Sequence, residues 1–356
     1  MSISGRSPGS SEKPSGRAAV VCGLGGWVPQ RVITNEELSQ RFDVTDEWIT
    51  TRTGIRARRA VDPGQATSDL AVEAGRRALH SAGGEAPDTV IVATATPDRP
   101  CPGTAPLVAS RLGLQEAAAF DVSAVCSGVV YGLAVASGLI AAGVSRRVLL
   151  IGADVYSTVV DQSDRTNAVI LGDGAGALVL RAGDPDELGA VGHFELGSDG
   201  TGEELIIIAA GGSRQRASDR PPTRAEQHFS MRGKEVFRHA ATRMANSSRA
   251  ALSAAGWKPD DVDLLVPHQA NLRILRTVAD DLGIDPDRCA QNLVEVGNTG
   301  AATIPLALND AAASGALRPG HRVLLTAFGG GLTWGSCVLR WPDIDPPLAA
   351  TVRSEP

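Results

Sequence analysis

Three residues of this chain are of the right type and setting to do covalent chemistry together: Cys126, His268 and Asn298. Cys126 stands where the apolar run 117–122 gives way, through Ser123 and Ala124, to a small-residue stretch over 128–142 that predicts a buried helix. A thiol at the first turn of a helix faces unpaired backbone N–H groups and the positive end of the dipole, and both favour thiolate over thiol. His268, in DLLVPHQANLRIL, follows a buried strand that ends at Pro267 and precedes a helix expected to begin near Gln269. Asn298, in VGNTGAATIP, lies in a glycine-flanked loop before a helix that admits Pro305 only near its start. Singly, a cysteine most often fills a core and an asparagine between glycines most often makes a turn. A Cys, a His and an Asn on separate glycine-rich loops form, together, a set used for thiolate chemistry.

An internal repeat supplies the elements that must bring the three together. The stretch ALHSAGGEAPDTVIVATATPD, followed by a helix ending ASRLGL at Leu114, parallels ALSAAGWKPDDVDLLVPHQAN, followed by a helix ending ADDLGI at Ile284. Each reads helix, Pro-Asp turn, buried strand, loop, helix, Leu-Gly stop. Residues 137–155 parallel residues 311–331 in the same way, a helix feeding a strand that ends in small residues. Cys126 falls 12 residues after Leu114 and Asn298 falls 14 after Ile284, so the two hold related positions. The expectation is an α/β protein of two like halves, with largely parallel sheets covered on both faces. The first half, 18–184, carries the cysteine; the second, 185–342, carries the histidine, the asparagine and a Phe328-Gly329-Gly330-Gly331 loop. Residues 1–17, rich in Ser, Gly and Pro, and residues 343–356 are expected to be tails.

Bulk properties narrow the function classes. The chain has 356 residues, 43% hydrophobic and 21% charged, as expected of a globular protein. A net charge of −6 gives no global field for nucleic acid or an anionic membrane, so any anionic ligand must meet a local patch. The five cysteines are scattered and free of CxxC pairs, which argues against a disulfide framework and a zinc site and for a reducing, cytoplasmic setting. No stretch is long and apolar enough to predict a membrane span, and no metal cluster is evident. Gly172-Asp173-Gly174-Ala175-Gly176 lacks the lysine and spacing of a phosphate loop and reads as structural, with its glycines permitting close backbone approach beside the nucleophile.

Seven segments, in order, resemble β-ketoacyl-acyl carrier protein synthase III, the initiating condensing enzymes of the thiolase fold. They are TDEWITTRTGIRARR, AFDVSAVCSG, DRTNAVILGDGAGALVL, MRGKEVFRHA, PHQANLRI, VGNTGAATIP and AFGGGLTWGSCVLRW, within residues 18 to 342. The resemblance implies a five-layered αβαβα thiolase fold of two pseudo-twofold related halves, and a homodimer. It implies Cys126 as the acyl-accepting nucleophile, His268 and Asn298 as the pair serving decarboxylation and condensation, and the N–H groups of Cys126 and Gly330 as an oxyanion hole. Trp48, Arg52, Arg165 and Asn271 match residues that hold coenzyme A, which is expected as a thioester substrate rather than a permanently bound cofactor.

Cys101, Tyr156, Leu171, Met231 and Met244 match acyl-pocket positions, and Arg238, Arg273 and Arg276 match residues that meet an acidic carrier protein. Departures from the commoner pattern stand at Cys101 and on the docking helix. Cys101 replaces a phenylalanine that, in acetyl-specific members, reaches across the dimer and shortens the partner's pocket, which points to a longer or bulkier starter. Tyr156 brings a hydroxyl that needs a polar partner, which favours a functionalised acyl chain. Asp280 and Asp281 replace basic residues on the docking helix, leaving the strength of carrier docking open. The leading reading is condensation of an acyl-CoA starter with malonyl-acyl carrier protein. Within the same fold the alternative is plain acyl transfer to a hydroxyl or amine, and outside catalysis a dimeric binding partner.

Overall fold

The computed structural model describes residues 17–345 and residue 350, so the expected N-terminal tail and most of the C-terminal one lie outside the described residues. Runs such as TVIVA are β-branched and buried at every position, which suits strands covered on both faces. One sheet holds β1 (Ala18–Trp27), β2 (Thr89–Ala93), β3 (Ala118–Val122), β4 (Arg147–Val155) and β5 (Asp173–Gly183), in the order β1-β5-β4-β2-β3. A second holds β6 (Val191–Ser198), β7 (Leu264–Pro267), β8 (Arg322–Gly329) and β9 (Thr333–Arg340), in the order β6-β9-β8-β7. The two orders correspond strand for strand. At the place matching β3, a single bridge joins Cys289 to Leu265.

The sheets are mixed rather than largely parallel. β2 runs parallel to β3 and β4, and β7 to β8, but β5 is antiparallel to both its neighbours and so is β9. For β8 and β9 the reason is connection length. Residues 330–332 alone join β8 to β9, whereas a parallel crossover needs about a dozen residues or more.

Six helices matter to the site: α1 (Asp46–Thr53), α2 (Thr67–Ser81), α3 (Gly128–Ala141), α4 (Gly233–Ala255), α5 (Leu272–Leu282) and α6 (Thr303–Ala313). The central layer is α3 and α6, whose Val129, Leu133, Ile140, Ile304 and Leu308 pack with Ile91 and Leu150 of one sheet and Val323 and Leu325 of the other. The alternate residues of the first sheet, Val90, Val92, Leu149 and Ile151, face α2. Leu324, Val338 and Leu265 of the second sheet face α4 and α5. The result is the five layers αβαβα. Small residues let α3 lie close on its sheet: a Cβ on Gly132 would stand 2.4 Å from Leu150 Cδ1.

Candidate active site

Cys126 and Asn298 both precede the paired central helices, as the repeat requires. Cys126 lies in a 3₁₀ turn, Val125–Ser127, just ahead of α3. Val125 holds φ at 47°, a left-handed value that a β-branched residue adopts only under constraint. The constraint is a set of bonds around Ala124 O, which accepts from Ser127 N at 3.1 Å and from one of the Ser127 and Thr333 hydroxyls, both 3.1 Å away, while the other hydroxyl donates to its neighbour. That 2.6 Å bond between the Ser127 and Thr333 hydroxyls ties the nucleophile turn to the glycine loop.

That loop approaches closely at one point. A Cβ on Gly329 would lie 2.8 Å from Cys126 N, whereas one on Gly330 would meet only Ile206, at 3.2 Å or more. Gly329 is therefore the residue whose bare backbone admits the loop to the Cys126 turn, and a sequence reading centred on Gly330 misses it.

His268 is 3% exposed and its Nδ1 lies 2.8 Å from Thr303 Oγ1, which in turn donates to Gly300 O at 2.8 Å. With that hydroxyl proton committed, Nδ1–H donates to Thr303 and Nε2 carries the lone pair. Rotating the hydroxyl onto Nδ1 would move the ring proton to Nε2, so Thr303 can serve either tautomer. Burial pushes the His268 pKa down to about 3, so the ring is neutral. The Gln269 side chain fixes the loop by donating to Pro267 O and Ala290 O and accepting from Asn292 N. The helix after His268 starts at Leu272, later than expected, because Asn271 caps it by accepting from Arg273 N at 2.9 Å.

Asn298 is 6% exposed, and its Oδ1 accepts from Gly300 N at 3.0 Å, leaving Nδ2–H₂ as the free end of the amide. Its backbone binds Ile170 O and Gly172 N, joining the halves. The glycines of 172–176 are structural, but they sit against the Asn298 segment rather than the nucleophile: Cβ atoms on Gly172 and Gly176 would stand 2.4 Å from Val296 O and 2.8 Å from Pro305.

Cys126, His268 and Asn298 line one narrow cavity with Leu171, Met231, Met244 and Phe328. The resting cysteine is a thiol, contrary to the expectation from its helix end. Burial pushes its pKa up to about 12, the nearby Asp154 carboxylate adds to the rise, and a bond from Tyr156 and its own N–H only partly offset it. Burial in an apolar cavity outweighs one end of a helix. Asp154 is itself raised to about 6 by burial. It accepts from Thr94 Oγ1, Thr96 Oγ1, Ala95 N and, across the seam, Ala301 N at 2.8 Å.

The remaining predicted residues fall in two places. At the mouth, Arg52 stands 4.4 Å and Arg165 5.9 Å from the centre of the Trp48 ring. Asn271 Nδ2 donates to Arg52 O at 3.0 Å, tying α1 to the start of α5. Arg238, on α4, and Arg273 and Arg276, on α5, are exposed, and Arg273 lies over Phe237. Asp281 is paired with Arg249 at 3.3 Å. Away from this chain's cavity, Cys101 is exposed in a loop. Among the described residues no group of three His, Cys, Asp or Glu side chains could hold a metal ion, and no helix is long and apolar enough to cross a membrane.

A thiolase-type layering with Cys, His and Asn on its seam defines a thiol-based condensing enzyme as the class. Two family models match: 3-oxoacyl-[acyl-carrier-protein] synthase III over residues 120–200 and its C-terminal part over residues 252–341. β-Ketoacyl-[acyl-carrier-protein] synthase III 3 of Streptomyces coelicolor is 56% identical, covering 93% of this chain and 99% of its own. The synthase III of Pseudomonas aeruginosa is 50% identical over the same shares. Its solved structure superposes with a TM-score of 0.87 at 48% identity, covering 93% of this chain and all of its own. The priming β-ketosynthase of the R1128 polyketide pathway superposes at 0.86 and 35% identity, covering 96% and 100%. The chain belongs to the β-ketoacyl-[acyl-carrier-protein] synthase III family, and it is a decarboxylative condensing enzyme that initiates fatty-acid or polyketide chains.

Proposed function

We propose that Cys126 carries the acyl starter, taken from an acyl-CoA, and that His268 and Asn298 serve its condensation with a malonyl-acyl carrier protein. The observation that carries this reading is the single buried cavity onto which all three residues open. In acyl transfer the thiol proton passes to His268 Nε2, Sγ bonds the acyl carbon, and the departing coenzyme A sulfur takes the proton. A thiol suits both halves of the reaction, since it attacks a thioester well and leaves well as thiolate. In condensation the malonyl C–C bond breaks to release CO₂. The enolate oxygen is held by Asn298 Nδ2–H and by His268 Nε2–H in its second tautomer, donors of a kind worth about 3 kcal/mol each. The enolate carbon then attacks the acyl carbon, whose oxyanion meets the N–H groups of Cys126 and Gly330. Sγ leaves and is reprotonated from solvent.

The Trp48 ring with its two guanidinium planes offers the adenine of coenzyme A a stacking and cation–π site. Arg238, Arg273 and Arg276 offer an acidic carrier protein a basic face, and the Arg249 pairing of Asp281 limits what the aspartates subtract from it. Beyond the three reactive residues the cavity lining is apolar apart from Tyr156, so the starter proposed is an aliphatic acyl group. A homodimer through β3 fits its place at an open sheet edge, where Phe120 is 36% exposed. In such a dimer, Cys101 would reach the partner's pocket. Mass spectrometry of the intact protein tests the reading. An acyl adduct on Cys126, discharged by malonyl-carrier protein with loss of CO₂, is expected. Discharge only to a hydroxyl or amine would favour plain transfer, and no adduct would remove catalysis at this residue.

A further inference from the structure

The Tyr156 hydroxyl has no part in the reaction as derived above, yet it occupies the centre of the site. Tyr156 follows β4, is 1% exposed, and packs its ring edge-on against Phe229 with centroids 5.4 Å apart. Its hydroxyl is buried without a hydrogen-bond partner and lines the same cavity as the Cys126 sulfur, which it biases towards thiolate. A neutral thiol is a weak acceptor, whereas a thiolate is a strong one. The polar partner that a tyrosine needs in this pocket is therefore already present as Sγ, without any polar group on the starter.

The charges around the sulfur make a donor there consequential. No lysine or arginine lines the cavity. Asp154, behind Cys126, opposes thiolate formation, and His268 opposite is neutral. Asp173, next to the Tyr156 turn, is engaged by Val61 N, Ser157 N and Ser157 Oγ. A thiolate formed here meets no permanent cation, and apart from the imidazolium made when His268 takes its proton it depends on fixed dipoles.

We infer that Tyr156 is a catalytic hydrogen-bond donor to the Cys126 sulfur, held without a partner in the resting enzyme so that its O–H completes the bond only to a thiolate. The donor acts twice: when Sγ gives its proton to His268 and bonds the acyl carbon, and when Sγ leaves that carbon after condensation. Tyr156 keeps its own proton in both steps. Burial holds its phenol well above the usual range, which keeps it a donor at neutral pH.

The inference rests on Cys126 being the acyl carrier, and its test is chosen to fail separately from that reading. Alkylation by iodoacetamide is followed by peptide mass across the neutral and alkaline range, in the parent and in Tyr156→Phe, which keeps the ring and its packing. Cys22, half-buried on β1 and outside the cavity, serves as an internal reference. The Cys126 profile is expected to move to higher pH, with alkylation at neutral pH about tenfold slower, the effect of one hydrogen bond to a charged group. The Cys22 profile is expected to stay in place. Superimposable Cys126 profiles would overturn the inference whether or not the parent forms an acyl adduct. A missing adduct with a shifted profile would overturn the acyl-carrier reading instead.

Discussion

The floor and the mouth of this site are made of opposite materials. Around Cys126 the walls are Leu171, Met231, Met244 and Phe328, and no cation is present. At the mouth, Trp48, Arg52 and Arg165 and the exposed arginines of α4 and α5 sit in water. In the proposed reaction charge delivers the substrates, and its absence does the chemistry. In a dry cavity each fixed N–H or O–H counts for far more than in solvent, and a misplaced one is correspondingly damaging.

Changes at the floor should therefore cost orders of magnitude, and changes at the mouth only small factors. Gly329→Ala should have the largest effect, because its Cβ would stand 2.8 Å from Cys126 N. Acylation should fall by about 10²–10³, as when an oxyanion donor is lost, while circular dichroism shows the fold retained. Thr303→Val removes the hydroxyl that serves both His268 tautomers. We expect condensation to fall about tenfold or more, with acylation from acyl-CoA less affected.

Burial of His268 should also be readable in stability. Its pKa falls from 6.5 to about 3 on folding, so between these values the unfolded chain binds more protons. The stability it contributes is complete above 6.5 and is lost as pH falls through the window. Asp154, raised from 3.8 to about 6, runs the other way, since the folded chain binds more protons between those values. Subtracting the parent isolates the histidine. From pH 7 to pH 5, denaturant unfolding should shift by roughly 2 kcal/mol in favour of His268→Gln over the parent. The smallest effect belongs to the mouth. Trp48→Ala should raise KM for acyl-CoA about two- to fivefold with kcat unchanged, as expected for an exposed cation–π and stacking contact. A large fall in kcat would erase the contrast between mouth and floor.

Much of this was legible in the sequence because a repeat and glycine-flanked loops mark where strands end. Cys126, His268 and Asn298 stood out for that reason, and the repeat placed two of them in equivalent positions before the fold was known. Thr303 did not stand out, since a threonine in a first helical turn has no distinctive pattern until His268 is placed beside it. The GGG loop pointed to the contact with the nucleophile turn, but only the structure shows that Gly329 is the glycine whose bare backbone faces Cys126 N. The thiol state was misread because a helix end is visible in sequence and the depth of burial is not. The antiparallel turn of β8 onto β9 was legible from the three residues between them, had connection length been weighed against periodicity.

The central claim is that one cavity runs two half-reactions on one sulfur with separate donors for each. The most direct test is intact-mass spectrometry of Asn298→Ala, first with acyl-CoA alone and then with malonyl-carrier protein. The account predicts that the adduct on Cys126 forms as in the parent and then persists, because the enolate has lost its amide donor. An adduct that discharges at the parent's rate, or one that fails to form, would contradict it.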